Sequence, residues 1–270
     1  MDTRPIGIFD SGVGGLTVAD KVFRLLPNEN IIYFGDTARV PYGNKSKEAV
    51  TRFSKEIVKF LSGFKVKLII VACNTASSLS LEALKKEFSI PIIGVIKPGV
   101  EEALKTSKTG RIGVIGTERT ISSNVYKKEI ESTGRNSFII QESCPLFVPL
   151  VENGWLSGDI TLEIVRRNLA PLLARDIDTL ILGCTHYPLL KKAIQRIAGK
   201  NVALIDSSIA TAKYTKRLLD NKNLFADALA KAGKRGMGYA KFFVSDDTGN
   251  FIRLANIFLR RNIKAKKVVF

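Results

Sequence analysis

Two stretches of this chain follow one plan. KLIIVACNTAS (Lys67–Ser77) and TLILGCTHYPL (Thr179–Leu189) each run from an apolar strand through a small residue to a cysteine, then into polar capping residues and a helical segment. The cysteines, Cys73 and Cys184, stand 111 residues apart. Upstream, IGIFDSG from Ile6 is matched by IGVIGTE from Ile112, an offset of 106; downstream, PIIGVI from Pro91 is matched by VALIDS from Val202, again at 111. Pro41 and Pro149 each stand ahead of a helical segment. Correspondences in one order at a nearly constant offset mark a duplication, and the period is far longer than the roughly 20–50 residues of a solenoid repeat. The chain is expected to fold as two similar lobes.

Each half alternates short Val/Ile/Leu-rich runs with longer amphipathic segments, the pattern of an α/β fold with a mainly parallel sheet flanked by helices. The expected division gives residues 1–96 with 206–270 to the first lobe and 97–205 to the second. SKEAVTRFSKEIVKFLSG places Val50, Phe53, Ile57 and Leu61 on one helical face ahead of Gly63. After Cys73, Ala76, Leu79, Ala83, Leu84 and Phe88 recur at helical spacing, and Pro91 follows the stop. After Cys184, Leu190, Ile194 and Ile197 do the same, with Gly199 placed to end the helix. Pro171 falls late in another helical segment and predicts a kink. Beyond the second unit, KFFVSDD reads as a strand and GNFIRLANIFLRR as a helix, both packing back on the first lobe, while LAKAGKRGMGYAK reads as a surface loop. Ligands of such sheets bind beyond the carboxyl ends of the strands. Two lobes facing each other would bring both sets of strand ends to one cleft.

Composition narrows the setting. The 270 residues are 45% apolar, enough for a sizeable core. The longest apolar run, LIIVAC, is far short of the roughly 18 residues of a membrane helix. MDTRPIGIFDSG lacks a basic region leading into an apolar one, so it does not read as a signal peptide. Three cysteines without a C-x-x-C pair argue against a disulfide framework and for a reducing cytoplasm. The net charge is +17, and the last 65 residues carry 14 Lys+Arg against 5 Asp. Such an excess attracts anions and nucleic acid. No nucleic-acid-binding module accompanies it, so a lysine-rich solvated surface is the better reading.

The chemistry centres on the two cysteines. A single free cysteine usually behaves as a small buried hydrophobe. As a pair, each at a strand end before an expected helix start, they sit where the local field favours the thiolate. Asn74, Thr75 and Thr185 are capping types, and N–H groups at a helix start could hold a carboxylate. Cys144, in SCPLFVPL, lacks this setting and reads as structural. Thiols on opposite sides of a cleft suit removal of a proton from one face of a tetrahedral carbon and its return to the other. One thiolate abstracts, the opposing thiol donates, and the roles exchange with the handedness of the substrate. Positioned acid–base groups contribute only about 10²–10⁴-fold. The carbon acid beside a carboxylate is very weak, so preorganised N–H donors must also stabilise charge growing on that carboxylate.

Other polar residues fit supporting roles. Asp10 and Ser11, in IFDSGVGG, could meet a substrate ammonium, with Asp10 also assisting Cys73. His186, the one histidine, could bind substrate or assist Cys184. Backbone groups of Tyr42 and Gly43 could hold a second carboxylate. Asp36 in GDTARVPYG and Glu152 in VENG are weaker candidates that read better as structural. GVGGLT (Gly12–Thr17) has Thr17 where a dinucleotide loop needs glycine, and it lacks the P-loop lysine. None of the short spacings of structural zinc occurs, so no metal is expected. No lysine stands out as a Schiff-base site. A cysteine hydrolase or acyltransferase with His186 as its base is the alternative enzyme, but it leaves the duplicated motif unexplained. A nucleic-acid-binding protein has only charge in its favour and predicts steep salt dependence.

At these motifs the chain resembles the glutamate racemases, cofactor-independent members of the aspartate/glutamate racemase superfamily. IGIFDSGVGGLTV, YFGDTARVPYGNKS, VACNTAS, GVIGTERTI, CPLFVPLVENG and LGCTHYPLL occur in the family's order, and VSDDTGNF resembles its C-terminal strand and turn. The resemblance implies two pseudo-symmetric α/β lobes with the active site between them, and Cys73 and Cys184 as the acid/base pair. It implies that Asp10, Ser11, Tyr42, Gly43, Asn74, Thr75, Thr185 and His186 bind substrate or assist, with Thr117 and Thr120 of GTERT facing the same cleft. By the family's arrangement Cys73 would deprotonate D-glutamate and Cys184 L-glutamate. It further implies a cytoplasmic enzyme without cofactor that supplies D-glutamate for bacterial peptidoglycan; a homodimer is among the assemblies it allows. Aspartate, shorter by one methylene, is the rival substrate. Ser208 stands where relatives often carry glycine and Lys97 where an acidic residue is common, both outside the thiol motifs.

Overall fold

The computed structural model describes residues 2–221, 224, 238–259 and 262–269. Its strands are β1 (Ile6–Asp10), β2 (Ile31–Gly35), β3 (Leu68–Val71), β4 (Ile92–Gly94), β5 (Arg111–Gly116), β6 (Phe138–Ser143), β7 (Thr179–Gly183), β8 (Ala203–Asp206), β9 (Ala240–Val244) and β10 (Ala265–Lys267). They form a six-stranded sheet ordered β10-β9-β2-β1-β3-β4 and a four-stranded sheet ordered β6-β5-β7-β8. Every paired neighbour is parallel, Ile6 facing both Ile31 and Leu68 in one sheet, Ile112 facing Thr179 in the other. Without β9 and β10 the first sheet reads β2-β1-β3-β4, and the second repeats that order strand for strand. The duplicated text is thus a duplicated topology. Parallel strands covered on both faces bury continuous apolar runs, and β1, β2, β3 and β7 are buried along their whole length.

The helices are α1 (Leu16–Leu25), α2 (Lys47–Ser62), α3 (Asn74–Glu87), α4 (Ile96–Thr106), α5 (Glu118–Ser122), α6 (Val125–Glu131), α7 (Phe147–Glu152), α8 (Asp159–Leu173), α9 (Lys191–Ala198), α10 (Ser207–Asn221) and α11 (Thr248–Leu259). In α2 the Ser46 hydroxyl caps Ala49 N–H at 3.2 Å, and Val50, Phe53, Ile57 and Leu61 form the buried face. Each such side chain contributes about 1.5–3 kcal/mol of burial. The chain passes from the first sheet to the second through α4 and returns through α10. These two helices pack together and are tied by Glu102–Lys213 at 2.8 Å and Glu101–Arg217 at 2.7 Å.

Local expectations change at several points. No α-helix starts directly after Cys184: Tyr187–Leu190 is a 3-10 turn and α9 begins only at Lys191. Pro188 has no N–H and disfavours α geometry at Tyr187, which delays the helix. Pro149 precedes α8 as Pro41 precedes α2, and it also lies in the first turn of the short α7, where its missing N–H costs nothing. The tail forms β10, paired with β9 through Ala265 and Phe242, a strand that no local apolar pattern predicts. LAKAGKRGMGYAK lies outside the described residues over 229–237, and its last two residues, Ala240 and Lys241, open β9. Helix α8 runs on past Pro171 to Leu173. As expected, β9 joins β2, and α11 packs on α1, with Phe251 centred 6.0 Å from Tyr33. No described helix is long and apolar enough to cross a membrane.

Candidate active site

In the strand order 2-1-3-4 the connections leaving the two central strands go to opposite faces, opening a crevice at their carboxyl ends. Strand β1 leads there to Asp10 and Ser11 and β3 to Cys73; in the second sheet β5 leads to Thr117 and β7 to Cys184. A cavity of about 320 Å³ lies between these ends. Ser11, Tyr42, Gly43, Cys73, Asn74 and Thr75 line it from one side, and Thr117, Glu152, Cys184, Thr185 and His186 from the other. Asp10, Asp36 and Thr120 do not reach its wall; all three are fully buried behind it.

Cys73 is the N-cap of α3. Its sulfur accepts from Ala76 N–H at 3.5 Å and lies 3.6 Å from the Ser11 hydroxyl. Burial and then the nearby Asp10 charge push the thiol up to about 12, against the smaller pull of those two hydrogen bonds. The helix-start field expected to favour a thiolate is therefore outweighed, and burial keeps Cys73 protonated at neutral pH.

Cys184 has a different neighbourhood. Its Sγ lies 3.9 Å from His186 Nδ1, and His186 Nε2 is 3.0 Å from Glu152 Oε1. Burial alone would lower the imidazole pKa, but its hydrogen bonds to Cys184 and Glu152 and their charges overcome this and raise it to about 10. A cationic ring thus faces Cys184, anchored at its far side by Glu152. Sequence alone undervalued Glu152, since nothing in VENG announces a partner 34 residues away. Below the ring, Asp10 accepts Gly12 N–H at 2.9 Å and faces the Thr185 hydroxyl at 3.4 Å, while burial raises its carboxyl pKa. It supports the two loops from behind rather than from the cavity wall. The unassigned glycine run has a packing cause: a Cβ at Gly14 would stand 2.2 Å from Thr185 Oγ1 and 2.6 Å from His186 Nδ1.

Residues 6–215 match the Asp/Glu/hydantoin racemase family. The chain belongs to this family. It is 51% identical to the glutamate racemase of Persephonella marina, over 97% of this chain and 96% of that protein. Its fold matches the crystal structure of glutamate racemase isoform RacE1 from Bacillus anthracis with a TM-score of 0.94 at 41% identity, covering 99% and 98% of the two chains. The Francisella tularensis glutamate racemase, solved in complex with D-glutamate, matches with a TM-score of 0.90 at 37% identity, over 100% of this chain and 98% of that one. The chain is an isomerase of the amino-acid racemase type.

In this family member the rest of the wall is built by pairs from both halves. Thr75 Oγ1 lies 2.9 Å from Thr117 and 3.3 Å from Thr120, whose hydroxyls are 3.0 Å apart. The Tyr42 hydroxyl donates to Asp36, which also accepts from Arg39 at 2.7 Å and Ser245 at 2.7 Å. Asp36 thereby fixes the Tyr42–Asn44 turn against β9. Cys144, expected to be only structural, borders the same cavity, and its carbonyl accepts from Tyr187 at 3.1 Å. Pro145, Val148 and Pro149 add an apolar side that no motif had announced.

Proposed function

We propose that the protein interconverts L- and D-glutamate by passing the α-proton between two thiols. The observation that carries this reading is that Cys73 and Cys184, at equivalent positions after β3 and β7, border one cavity from opposite halves of the duplication. With L-glutamate bound, the Cys184 thiolate takes the α-proton and the Cys73 thiol gives its own to the opposite face. The sulfurs exchange protonation states, and no covalent bond to the substrate forms. D-glutamate is handled in reverse. The high Cys73 pKa keeps that sulfur loaded as an acid, and the imidazolium beside Cys184 stabilises negative charge there when that sulfur acts as the base.

Charge growing on the α-carboxylate requires donors already in place. The start of α3 and the Asn74, Thr75 and Thr117 side chains supply them at the wall. Glutamate is favoured over aspartate by the relatives at 37–51% identity, all of them glutamate racemases. A single methylene discriminates only about 10–200-fold, so some turnover of aspartate is expected. The role that fits is supply of D-glutamate for peptidoglycan in the cytoplasm.

The test is incubation with each enantiomer in D₂O without added cofactor, following rotation by circular dichroism and α-deuterium by mass spectrometry. Inversion with deuterium incorporation is expected. Cys73→Ser and Cys184→Ser should each abolish inversion, the first leaving exchange only into L-glutamate and the second only into D-glutamate. Absence of exchange with glutamate and aspartate would overturn the reading and favour a single-cysteine hydrolase.

A further inference from the structure

Tyr126, on α6, is fully buried and lies between the two cysteine motifs. Its ring covers Gly183, the residue before Cys184: a Cβ there would meet Tyr126 Cε2 at 3.2 Å. Its hydroxyl reaches the other way and donates to Asn74 Oδ1, beside Cys73, at 2.6 Å. One side chain therefore touches the immediate neighbours of both thiols.

We infer that Tyr126 is a positioning residue for the reaction, holding the Asn74 carboxamide so that its N–H donors, and not its oxygen, are offered to the substrate carboxylate. This rests on the racemase reading above. An asparagine carries one acceptor oxygen and two N–H donors at ends of nearly equal shape, so its two flips fill the same space. In a cavity for a dicarboxylate they are opposites, one attracting the anion and the other repelling it. With the phenol O–H donated to Oδ1 the attracting flip is the one held; the opposite flip would make Tyr126 the acceptor and turn its O–H toward Ser207. Burial, against the smaller pull of a Ser207 hydrogen bond, holds the phenol above its usual pKa, so it keeps its proton at any working pH. Phenylalanine would keep the ring over Gly183 and lose the selection.

The test compares Tyr126→Phe, Asn74→Ala and the double variant by racemisation in both directions and by thermal unfolding. Tyr126→Phe is expected to lower kcat/KM about ten- to a hundredfold, the size of one buried hydrogen bond to a charged site. In the Asn74→Ala background the same change should alter kcat/KM less than about twofold. Asn74→Asp, which keeps an acceptor for Tyr126 but has no donor for the substrate, should lose at least as much as Asn74→Ala. Losses that multiply in the double variant, or Tyr126→Phe within about twofold of wild type, would overturn the inference and leave the racemase reading standing. A wild-type protein inactive on glutamate would overturn both.

Discussion

Replacing Gly14 by alanine tests the junction between the Gly-rich turn and the loop that carries Cys184. The new Cβ would stand 2.2 Å from Thr185 Oγ1 and 2.6 Å from His186 Nδ1. Non-bonded carbon contacts relax only near about 3.5 Å, so the Cys184 loop must retreat by about 1 Å. That movement stretches Thr17 Oγ1–Thr185 O, now 3.1 Å, and Thr185 Oγ1–Asp10, now 3.4 Å, out of hydrogen-bonding range. Overpacking costs about 1–3 kcal/mol and each of the two lost bonds about 1 kcal/mol, giving roughly 3–5 kcal/mol in all. For a chain of this size melting should fall by roughly 5–15 °C. A 1 Å displacement of a catalytic group costs about a hundredfold in rate. Because the enantiomers have equal energy, kcat/KM must fall equally in both directions. Calorimetry and polarimetric racemisation read the two effects. Gly12→Ala is the control, since its Cβ would meet nothing closer than the Val40 side chain at 3.4 Å, and it should melt within a few degrees of wild type. If Gly14→Ala melted and turned over like that control, the close approach of the two loops would be refuted.

Two further predictions concern the imidazole. Glu152→Gln removes the carboxylate 3.0 Å from Nε2, so the His186 pKa should drop below about 10, only part of the way to the free value because Cys184 still raises it, with kcat/KM at pH 8 falling about tenfold. The chain's one histidine gives one imidazole signal, so an NMR titration reads this directly, and an unmoved pKa would remove Glu152 from the charge chain. For His186→Asn the sign follows from a pKa raised above the ordinary 6.5: the folded ring is charged below about 10 and neutral above it. The ratio of wild-type to variant kcat/KM should therefore be largest near pH 7–8 and shrink as pH rises through about 10. Titration of the substrate cancels in that ratio, and a ratio flat with pH would contradict a cationic His186.

The parts of the fold legible in sequence were those in which the local pattern and the tertiary outcome depend on the same physics. Val50, Phe53, Ile57 and Leu61 declare one helical face whatever packs against it, and the Cys73 and Cys184 motifs declare the duplicated topology. Cys184 was misread locally because its apolar spacing resembles that after Cys73, while Pro188 alone decides that a 3-10 turn precedes the helix. Strand β10 was hidden because AKK at a sheet edge has no apolar alternation, and its pairing with β9 is a tertiary event. The thiol motifs were plain in sequence. Their unequal electrostatics were not, because burial of Cys73 and the Glu152–His186 contact exist only once distant segments meet. Tyr126 carried no signal at all, being one buried aromatic among many until its hydroxyl is seen to end at Asn74.

Among the described residues, the chain passes between the two sheets only through α4 and α10, which lie side by side and are bridged by two ion pairs. The halves are also fastened across the cleft itself, by Thr17–Thr185 at 3.1 Å, Thr75–Thr117 at 2.9 Å and Tyr126–Asn74 at 2.6 Å. The spacing of the two thiol loops is therefore clamped from both ends, and loosening the Glu101–Arg217 tie alone leaves the clamp at the reacting end in place.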